Sequence, residues 1–187
     1  MFENIYQPAT GCFLVAEPFM EDSNFKRTVV LLAEYNLQEG GFGFVINRPL
    51  DLTLNDVIEG LPTFAAPLLL GGPVDHNSLH FIHRYADLSG CRKIGNHTYW
   101  SGDFDHLCKK INNGQAKPEE IMFFIGYSGW TCPQLEQELR QKSWIVAPQN
   151  ETFLFPTHHK TVWRDILRNM GNSFSVMANY PLDPRLN

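Results

Sequence analysis

The chain has 187 residues, of which 43% are hydrophobic and 13% aromatic. This content can fill a buried core and argues against disorder over most of the length. Its 15 basic and 20 acidic residues give a formal charge of −5. Binding to a phosphate backbone depends on clustered lysine and arginine, and the densest basic spots here are the pairs Arg92-Lys93 and Lys109-Lys110. We therefore expect no tight direct binding to DNA.

The N-terminus and the cysteines indicate a cytoplasmic protein. Residues 1–4 lack the basic start of a signal peptide. The longest strictly apolar run, residues 29–33, is far shorter than the roughly 20 residues that span a bilayer. The cysteines at 12, 91, 108 and 132 form no C-x-x-C motif. We expect free thiols, no membrane association and no cofactor.

The first half of the chain is dominated by predicted strands. Residues 12–16 predict a short strand, and residues 28–35 predict a buried one. A glycine-containing loop at 36–41 and a further strand at 42–47 complete a β-hairpin. Thr53 and Asp56 stand at capping-box spacing before a short helix that ends at residue 59. Residues 68–70 and 79–83 are two more candidate strands.

The second half alternates helices and strands without a regular period. Asp103 can cap a helix that reaches residue 113, and Cys108 falls on its apolar face. Residues 121–125 predict a central strand, and Thr131 and Gln134 mark the start of a helix. Residues 143–147 predict a strand, and residues 161–170 a last helix that Gly171 ends. About four helices and many short strands indicate an α+β fold, and no linker divides residues 1–187 into domains.

Six short motifs occur in order over nearly the whole chain. They are GCFLVA at 11–16, RTVVLL at 27–32, VINRPL at 45–50, GGPV at 71–74, GYSGW at 126–130 and DPRLN at 183–187. Together they resemble the AlgH/YqgE family of bacterial proteins. The resemblance implies a single domain with a bent mixed sheet, part of it closed into a small barrel and flanked by helices. It also implies the family's label of transcriptional regulator, but no reaction and no catalytic residue set.

The chain departs from the family pattern at several positions. Tyr35 stands where the family usually has histidine, and Ser78 stands where it often has arginine. Ser128 replaces a common alanine, and residues 131–133 replace a glycine-rich turn. A mechanism that requires a histidine at position 35 or an arginine at position 78 is therefore excluded.

Gly126-Tyr127-Ser128-Gly129-Trp130 invites comparison with the G-x-S-x-G nucleophile elbow of hydrolases. The second glycine follows the serine directly, so the spacing differs, although a strand-turn-helix context is expected here. Cys132, near the predicted helix start, is a second possible nucleophile, but no histidine is close to it in sequence. A tight structural turn that depends on Gly126 and Gly129 is the alternative interpretation.

The same segment, as a glycine-rich entry to a helix, could bind an anion through free backbone N–H groups. Pro49 keeps Arg48 extended at the end of a strand, so its guanidinium could face the same groove. An internal salt bridge from Arg48 to Asp22, Glu34 or Asp51 is the alternative. The predicted ligand-binding set is Asn47, Arg48, Gly71, Gly72, Gly126, Ser128, Gly129, Trp130 and Gln134.

His76, His80 and His83 could be taken for metal ligands. They follow a Gly-Gly-Pro turn in a segment that predicts a strand, where His80 and His83 point to opposite faces. We therefore predict no metal site. The sequence favours a non-enzymatic binding or regulatory module that recognises a small anionic ligand or a protein partner. The alternative is a small hydrolase that uses Ser128 or Cys132.

Overall fold

The computed structural model describes residues 6–156 and 158–181, so the DPRLN motif lies outside the described residues. Within them the chain forms nine strands and six α-helices. The strands are β1 (Phe13–Ala16), β2 (Val29–Asn36), β3 (Gly40–Val45), β4 (Leu68–Leu70), β5 (Val74–His83), β6 (Arg92–Gly95), β7 (Thr98–Trp100), β8 (Ile121–Trp130) and β9 (Trp144–Ala147). The helices are α1 (Leu54–Val57), α2 (Phe104–Asn112), α3 (Cys132–Arg140), α4 (Glu151–Leu154), α5 (Val162–Met170) and α6 (Asn172–Met177). Two 3-10 helices, Pro118–Glu120 and His159–Thr161, precede β8 and α5.

All nine strands belong to one large sheet, which is antiparallel except for one pair. Its order is β6-β7-β5-β8-β3-β2-β1-β9, and β4 pairs with β8 in parallel. One edge of β8 pairs with β5. Its other edge pairs with β4 near the middle of β8 and with β3 near its end. The α+β class is confirmed, with six short helices instead of about four.

The predicted barrel is wrong, because the two edges of the sheet do not pair. β6 and β9 are the terminal strands of the order. The segments beside them do approach: a Cβ built on Gly11 would lie 2.1 Å from the Ile94 carbonyl oxygen. The Gln149 side chain covers Gly95 at this seam. A side chain therefore stands where a closed barrel requires backbone hydrogen bonds between strands.

The sheet buries apolar side chains on both faces, and the helices cover three clusters. Phe13, Phe44 and Phe124 belong to a cluster under α5 and α6. A second cluster joins Phe81 and Phe123 of the sheet to α1 and α2. In the third, one face of β1, β2, β3 and β9 packs against α3. Strands with both faces covered produce the continuous apolar runs seen in the sequence.

The local signals reproduce most predicted elements. The hairpin of β2 and β3 is confirmed, with Asn36 pairing with Gly40. The capping box of α1 forms, because the Asp56 carboxylate accepts the Thr53 N–H at 2.7 Å. Asp103 Oδ1 accepts the His106 N–H at 3.0 Å and so caps α2. None of the helices in the described part of the chain has the length and hydropathy needed to span a bilayer.

Candidate functional site

The predicted turn at residues 126–130 is wrong, because these residues form the second half of β8. Gly43 pairs with Ser128 and Phe42 with Gly129, so the backbone in this stretch forms a ladder with β3. Helix α3 begins only at Cys132, after Thr131. Residues 126–130 therefore do not present the free N–H groups of a helix start. The strand continues past Gly126 and through Gly129 because hydrogen bonds with β3 extend it. β3 is distant in sequence, so the local sequence does not indicate this pairing.

Gly71, Gly72, Gly126 and Ser128 do come together, but as a closed packing junction. Ser128 is fully buried, and its Oγ donates to the Gly71 carbonyl oxygen at 3.1 Å. A Cβ on Gly71 would lie 2.2 Å from the Gly126 carbonyl oxygen, and one on Gly72 would lie 2.2 Å from Ser128 Oγ. Gly126 has φ +66°, which favours glycine. These residues allow β4 and β5 to approach β8 closely.

Asn47 ties two neighbouring segments together through its side-chain amide. Its Oδ1 accepts the Val29 N–H at 2.9 Å, and its Nδ2 donates to the Arg27 carbonyl oxygen at 2.9 Å. Arg27 has φ 57°, an uncommon conformation for a residue with a side chain. Asn47 therefore has a structural role, holding the start of β2 and the loop before it.

Arg48 also binds the loop before β2. The alternative predicted from the sequence, a salt bridge from Arg48 to a carboxylate, does not form among the described residues. Its Nη2 donates to the Ser23 carbonyl oxygen at 2.8 Å and to that of Lys26 at 3.4 Å. Among the described ion pairs, none joins Arg48 to Asp22, Glu34 or Asp51, and Glu34 pairs with Arg92 at 2.8 Å. Burial lowers the pKa of the Arg48 guanidinium, and the charge of Asp22 opposes that shift.

The loop that Arg48 holds places an aromatic ring against two tryptophans. The Phe25 ring centroid lies 5.9 Å from Trp130 and 5.3 Å from Trp144. The two indoles meet edge to face at 5.8 Å. Edge-to-face contacts at this spacing are favourable for aromatic rings. Arg48 and Trp130 both belong to the predicted set. Arg48 holds the loop that contains Phe25, and Phe25 packs against Trp130.

Glu138 on α3 accepts hydrogen bonds from three side chains, and it was not part of the predicted site. Its Oε2 accepts the indole N–H of Trp130 at 2.8 Å and that of Trp144 at 2.7 Å. Its Oε1 accepts from Gln134 Nε2 at 2.9 Å. The only local signal was the i, i+4 spacing of Gln134 and Glu138 on a helix.

Glu138 lines a cleft of about 510 Å³, hereafter the aromatic–acidic cleft, together with Gln134 and Trp144. Its apolar walls come from four side chains, and four others carry carboxylates. None of its described lining residues is lysine, arginine or histidine. The cleft is therefore negatively charged and disfavours anions. The lining comprises Glu17, Phe19, Met20, Glu21, Asp22, Phe25, Gln134, Glu138, Ser143 and Trp144.

Comparison with known proteins assigns the family. An AlgH-like family model matches residues 13–175. The chain belongs to the AlgH-like family. A UPF0301 protein of Cytophaga hutchinsonii is 45% identical over 179 residues, which cover 95% of this chain and 98% of that protein. One of Chlorobium luteolum is 37% identical over 188 residues, covering 100% and 99% of the two chains.

Two solved structures have the same fold as this AlgH-like chain. The crystal structure of a Corynebacterium diphtheriae protein has a TM-score of 0.75 at 26% identity, covering 96% of this chain and 95% of that one. The solution structure of the AlgH protein from Pseudomonas aeruginosa has a TM-score of 0.72 at 28% identity, with 95% and 98% covered. The family resemblance seen in the sequence motifs is confirmed.

The remaining candidates for chemistry in this AlgH-like chain have structural roles. Cys132 Sγ donates to the Leu37 carbonyl oxygen at 2.6 Å. His80 and His83 lie on opposite faces, as predicted, since His80 contacts Phe44 of the first cluster and His83 contacts Phe81 of the second. Burial lowers the pKa of both imidazoles. Within the described ranges, no group of three or more potential ligands could hold a metal ion.

Proposed function

We propose that this AlgH-like protein is a non-enzymatic binding module that captures a lysine or arginine side chain of a partner protein in the aromatic–acidic cleft. One observation carries the proposal. The cleft combines aromatic walls with four carboxylates, and its described lining has no basic group. Its volume of about 510 Å³ lies in the range of ligand pockets, roughly 300–1,000 Å³. A cationic side chain of a partner protein thus replaces the small anionic ligand that the sequence favoured.

The chemistry of the cleft suits a cationic group with an apolar stem. Phe19 and Phe25 offer partly exposed aromatic rings, over which an ammonium or guanidinium is attracted by the ring quadrupole. The methylene stem of lysine or arginine packs on apolar surface while its head reaches a carboxylate. Glu17, Glu21 and Asp22 place further negative charge on the lining. Attraction of a basic partner would therefore weaken as salt increases.

Glu138 is the group best placed to receive the cation. A carboxylate offers about four lone-pair sites. Trp130, Trp144 and Gln134 use three of them, two on Oε2 and one on Oε1. The remaining site on Oε1 can accept one further donor. The neutral N–H donors orient the carboxylate without neutralising its charge.

The contacts of Ser128 and Cys132 do not support the hydrolase alternative. Ser128 is fully buried and donates its hydroxyl proton to a backbone carbonyl oxygen. Among the described contacts neither it nor Cys132 bonds to a histidine or carboxylate that could act as a base. Nucleophilic catalysis needs such a base within hydrogen-bond reach.

The regulatory role implied by the family label would then be indirect. The formal charge of −5 and the acidic cleft disfavour the DNA backbone and favour a basic protein surface. We propose a cytoplasmic protein that acts through a protein partner. An exposed lysine or arginine of that partner would be the recognised group.

A peptide titration followed by NMR tests the proposal. The probes are two short glycine-spaced peptides, one with arginines and one with glutamates at the same positions. The chain has four tryptophans, whose indole N–H signals report separately. The arginine peptide should shift the signals of Trp130 and Trp144. Trp163 donates to the Ala16 carbonyl oxygen at 2.8 Å outside the cleft and serves as internal reference.

Two matched variants on α3 supply the control. Glu138→Gln keeps the shape of the side chain and removes its charge, so affinity for the arginine peptide should fall about tenfold or more. Glu136→Gln changes a residue that pairs at 3.5 Å with Arg140 at the surface and should leave affinity unchanged. The proposal fails if both peptides shift the same indoles equally, or if the two variants bind alike.

A further inference from the structure

A second cleft lies at the seam between the two edges of the sheet. It has a volume of about 430 Å³ and is bounded by the end of β9, α4, α5 and the β6–β7 turn. No residue of the described chain lines both this cleft and the aromatic–acidic cleft. We call it the amide cleft, because asparagine and glutamine side chains dominate its polar lining. These side chains belong to Asn96, Gln149, Asn150 and Asn169.

The Gln149 side chain lies beside two glycines across the seam. A Cβ on Gly95 would lie 2.1 Å from Gln149 Oε1 and 2.3 Å from its Nε2, so a larger residue at position 95 would displace this amide. A Cβ on Gly11 would lie 3.5 Å from the same oxygen. The amide therefore lies between the backbone at Gly11 and the backbone at Gly95.

The donor atom of Gln149 is buried but has no protein partner. Its Nε2 is removed from solvent and makes no hydrogen bond within the described part of the chain. Leaving a buried donor unpaired costs roughly 1–3 kcal/mol, so such groups call for an explanation. Gln149 also lines an adjoining cavity of about 560 Å³ with Asn96 and Lys93. A polar ligand at this seam would satisfy the donor once the amide turned toward it.

The charge of the amide cleft is close to neutral. Glu151 is the one carboxylate in its described lining, and it pairs with Arg84 at 3.0 Å. Asn150 Oδ1 accepts the Thr152 N–H at 3.0 Å, which leaves its NH₂ group as a donor. The cleft therefore offers several donors and acceptors in fixed positions without a net charge to recognise.

We propose that the amide cleft binds the base of a nucleoside or nucleotide. Amide side chains pair with the donor and acceptor edges of bases, which are planar and uncharged. Tyr6 and Phe153 line the same cleft and provide aromatic faces on which a base can stack. The volume of about 430 Å³ is within the range of small-ligand pockets, roughly 300–1,000 Å³.

Side-chain amide NMR signals test this directly on the full chain. The probes are adenosine, guanosine, cytidine and uridine, each titrated to millimolar concentration. Binding of at least one should shift the NH₂ signals of Gln149, Asn96 and Asn169. The NH₂ signals of Gln137, an exposed residue of α3, should not move. The absence of shifts with all four nucleosides, or shifts confined to residues of the aromatic–acidic cleft, would overturn the proposal.

Two variants locate the site, and Gln137→Ala is their control. Gln149→Leu removes the amide at similar size and should lower affinity at least tenfold. Asn169→Ala changes an exposed residue of α5, so the fold is preserved even if Gln149→Leu proves unstable. It should also weaken binding several-fold, whereas Gln137→Ala should not. Nucleoside affinity that is unchanged in a folded Asn169→Ala protein and in any folded Gln149→Leu protein would refute the assignment.

Discussion

Replacement of Arg48 by alanine separates three roles by their effect on the free energy of unfolding. A buried ion pair broken at one side costs about 3–5 kcal/mol, and an arginine free in a groove costs about 0.5 kcal/mol or less. The structure predicts an intermediate value. The guanidinium donates at 2.8 Å to Ser23 and at 3.4 Å to Lys26. Hydrogen bonds from charged groups contribute about 1.5–3 kcal/mol, and partial exposure reduces this, so we expect a loss of about 1–2 kcal/mol.

Urea denaturation and thermal melts measure that loss. For a domain of this size, 1 kcal/mol lowers Tm by about 2–4 °C. Arg48→Lys keeps the charge but not the planar guanidinium, so it should recover only part of the stability. Arg140→Ala removes an exposed arginine that pairs with Glu136 at 3.5 Å, and should cost about 0.5 kcal/mol or less. A loss above about 3 kcal/mol for Arg48→Ala, or one equal to that of Arg140→Ala, would refute the assignment.

Three further predictions concern chemistry, pH and DNA. Ser128→Ala removes the 3.1 Å bond to Gly71 and should cost about 1 kcal/mol in urea melts, while Ser128→Ala and Cys132→Ala should both preserve the biological phenotype. Loss of phenotype in a variant that remains folded would favour the hydrolase. Burial holds the pKa of His83 below its usual value of 6.5. The unfolded state therefore binds the proton more readily, so stability should fall as pH decreases below about 6.5 and should be flat above it. NMR titration of His83 checks this, and a pKa at or above 6.5 contradicts it. In gel shifts at physiological salt, the Kd for duplex DNA should be higher than about 10⁻⁸ M. A lower Kd would support regulation by direct DNA binding.

Local signals in the sequence were sufficient for the elements that short-range chemistry defines. The continuous apolar run at 29–33 predicted β2, and the capping pattern at Thr53 and Asp56 predicted α1. Asp103 and Gly171 marked the start of α2 and the end of α5. In each case the stabilising partner lies within a few residues, so the sequence alone contains the information.

The error at residues 126–130 has a long-range cause. Two glycines usually indicate a turn, but here Phe42 and Gly43 pair with Gly129 and Ser128 across more than 80 positions of sequence. Gly126 serves a close approach to β5 and not a reversal of the chain. β6 and β7 were missed for a different reason. Both strands are short and contain polar residues, so they lack the apolar run that indicates a buried strand.

The aromatic–acidic cleft was only partly predictable, because its residues come from distant segments. Gln134 of the lining belonged to the predicted set, as did Trp130, which donates to Glu138, but Glu138 itself did not. Its carboxylate matters because Trp144, at the start of β9, reaches the same oxygen as Trp130. Phe25 joins them from the loop before β2. Only the packing of α3 on the sheet brings these side chains into one site.

The contacts of Arg48 and Asn47 connect their positions to the cleft through the loop that contains Phe25. Arg48 holds the carbonyl oxygens of Ser23 and Lys26 on either side of Phe25, and Asn47 fixes Arg27. Without Arg48 the ring should sample more orientations, and its contacts with the tryptophans should weaken. A residue first assigned to anion binding would then influence cation binding without contacting the ligand.

This connection predicts a second effect of Arg48→Ala, separate from its effect on stability. At a temperature where the variant is fully folded, its affinity for the arginine peptide should fall about three- to tenfold, because part of the binding energy must order the loop. The loss should persist at high salt, since it arises from loop order and not from charge. Removal of a positive charge near Asp22 acts in the opposite direction, because it makes the cleft more negative. Tighter binding by the variant would therefore show that long-range charge outweighs loop order, and it would contradict this prediction.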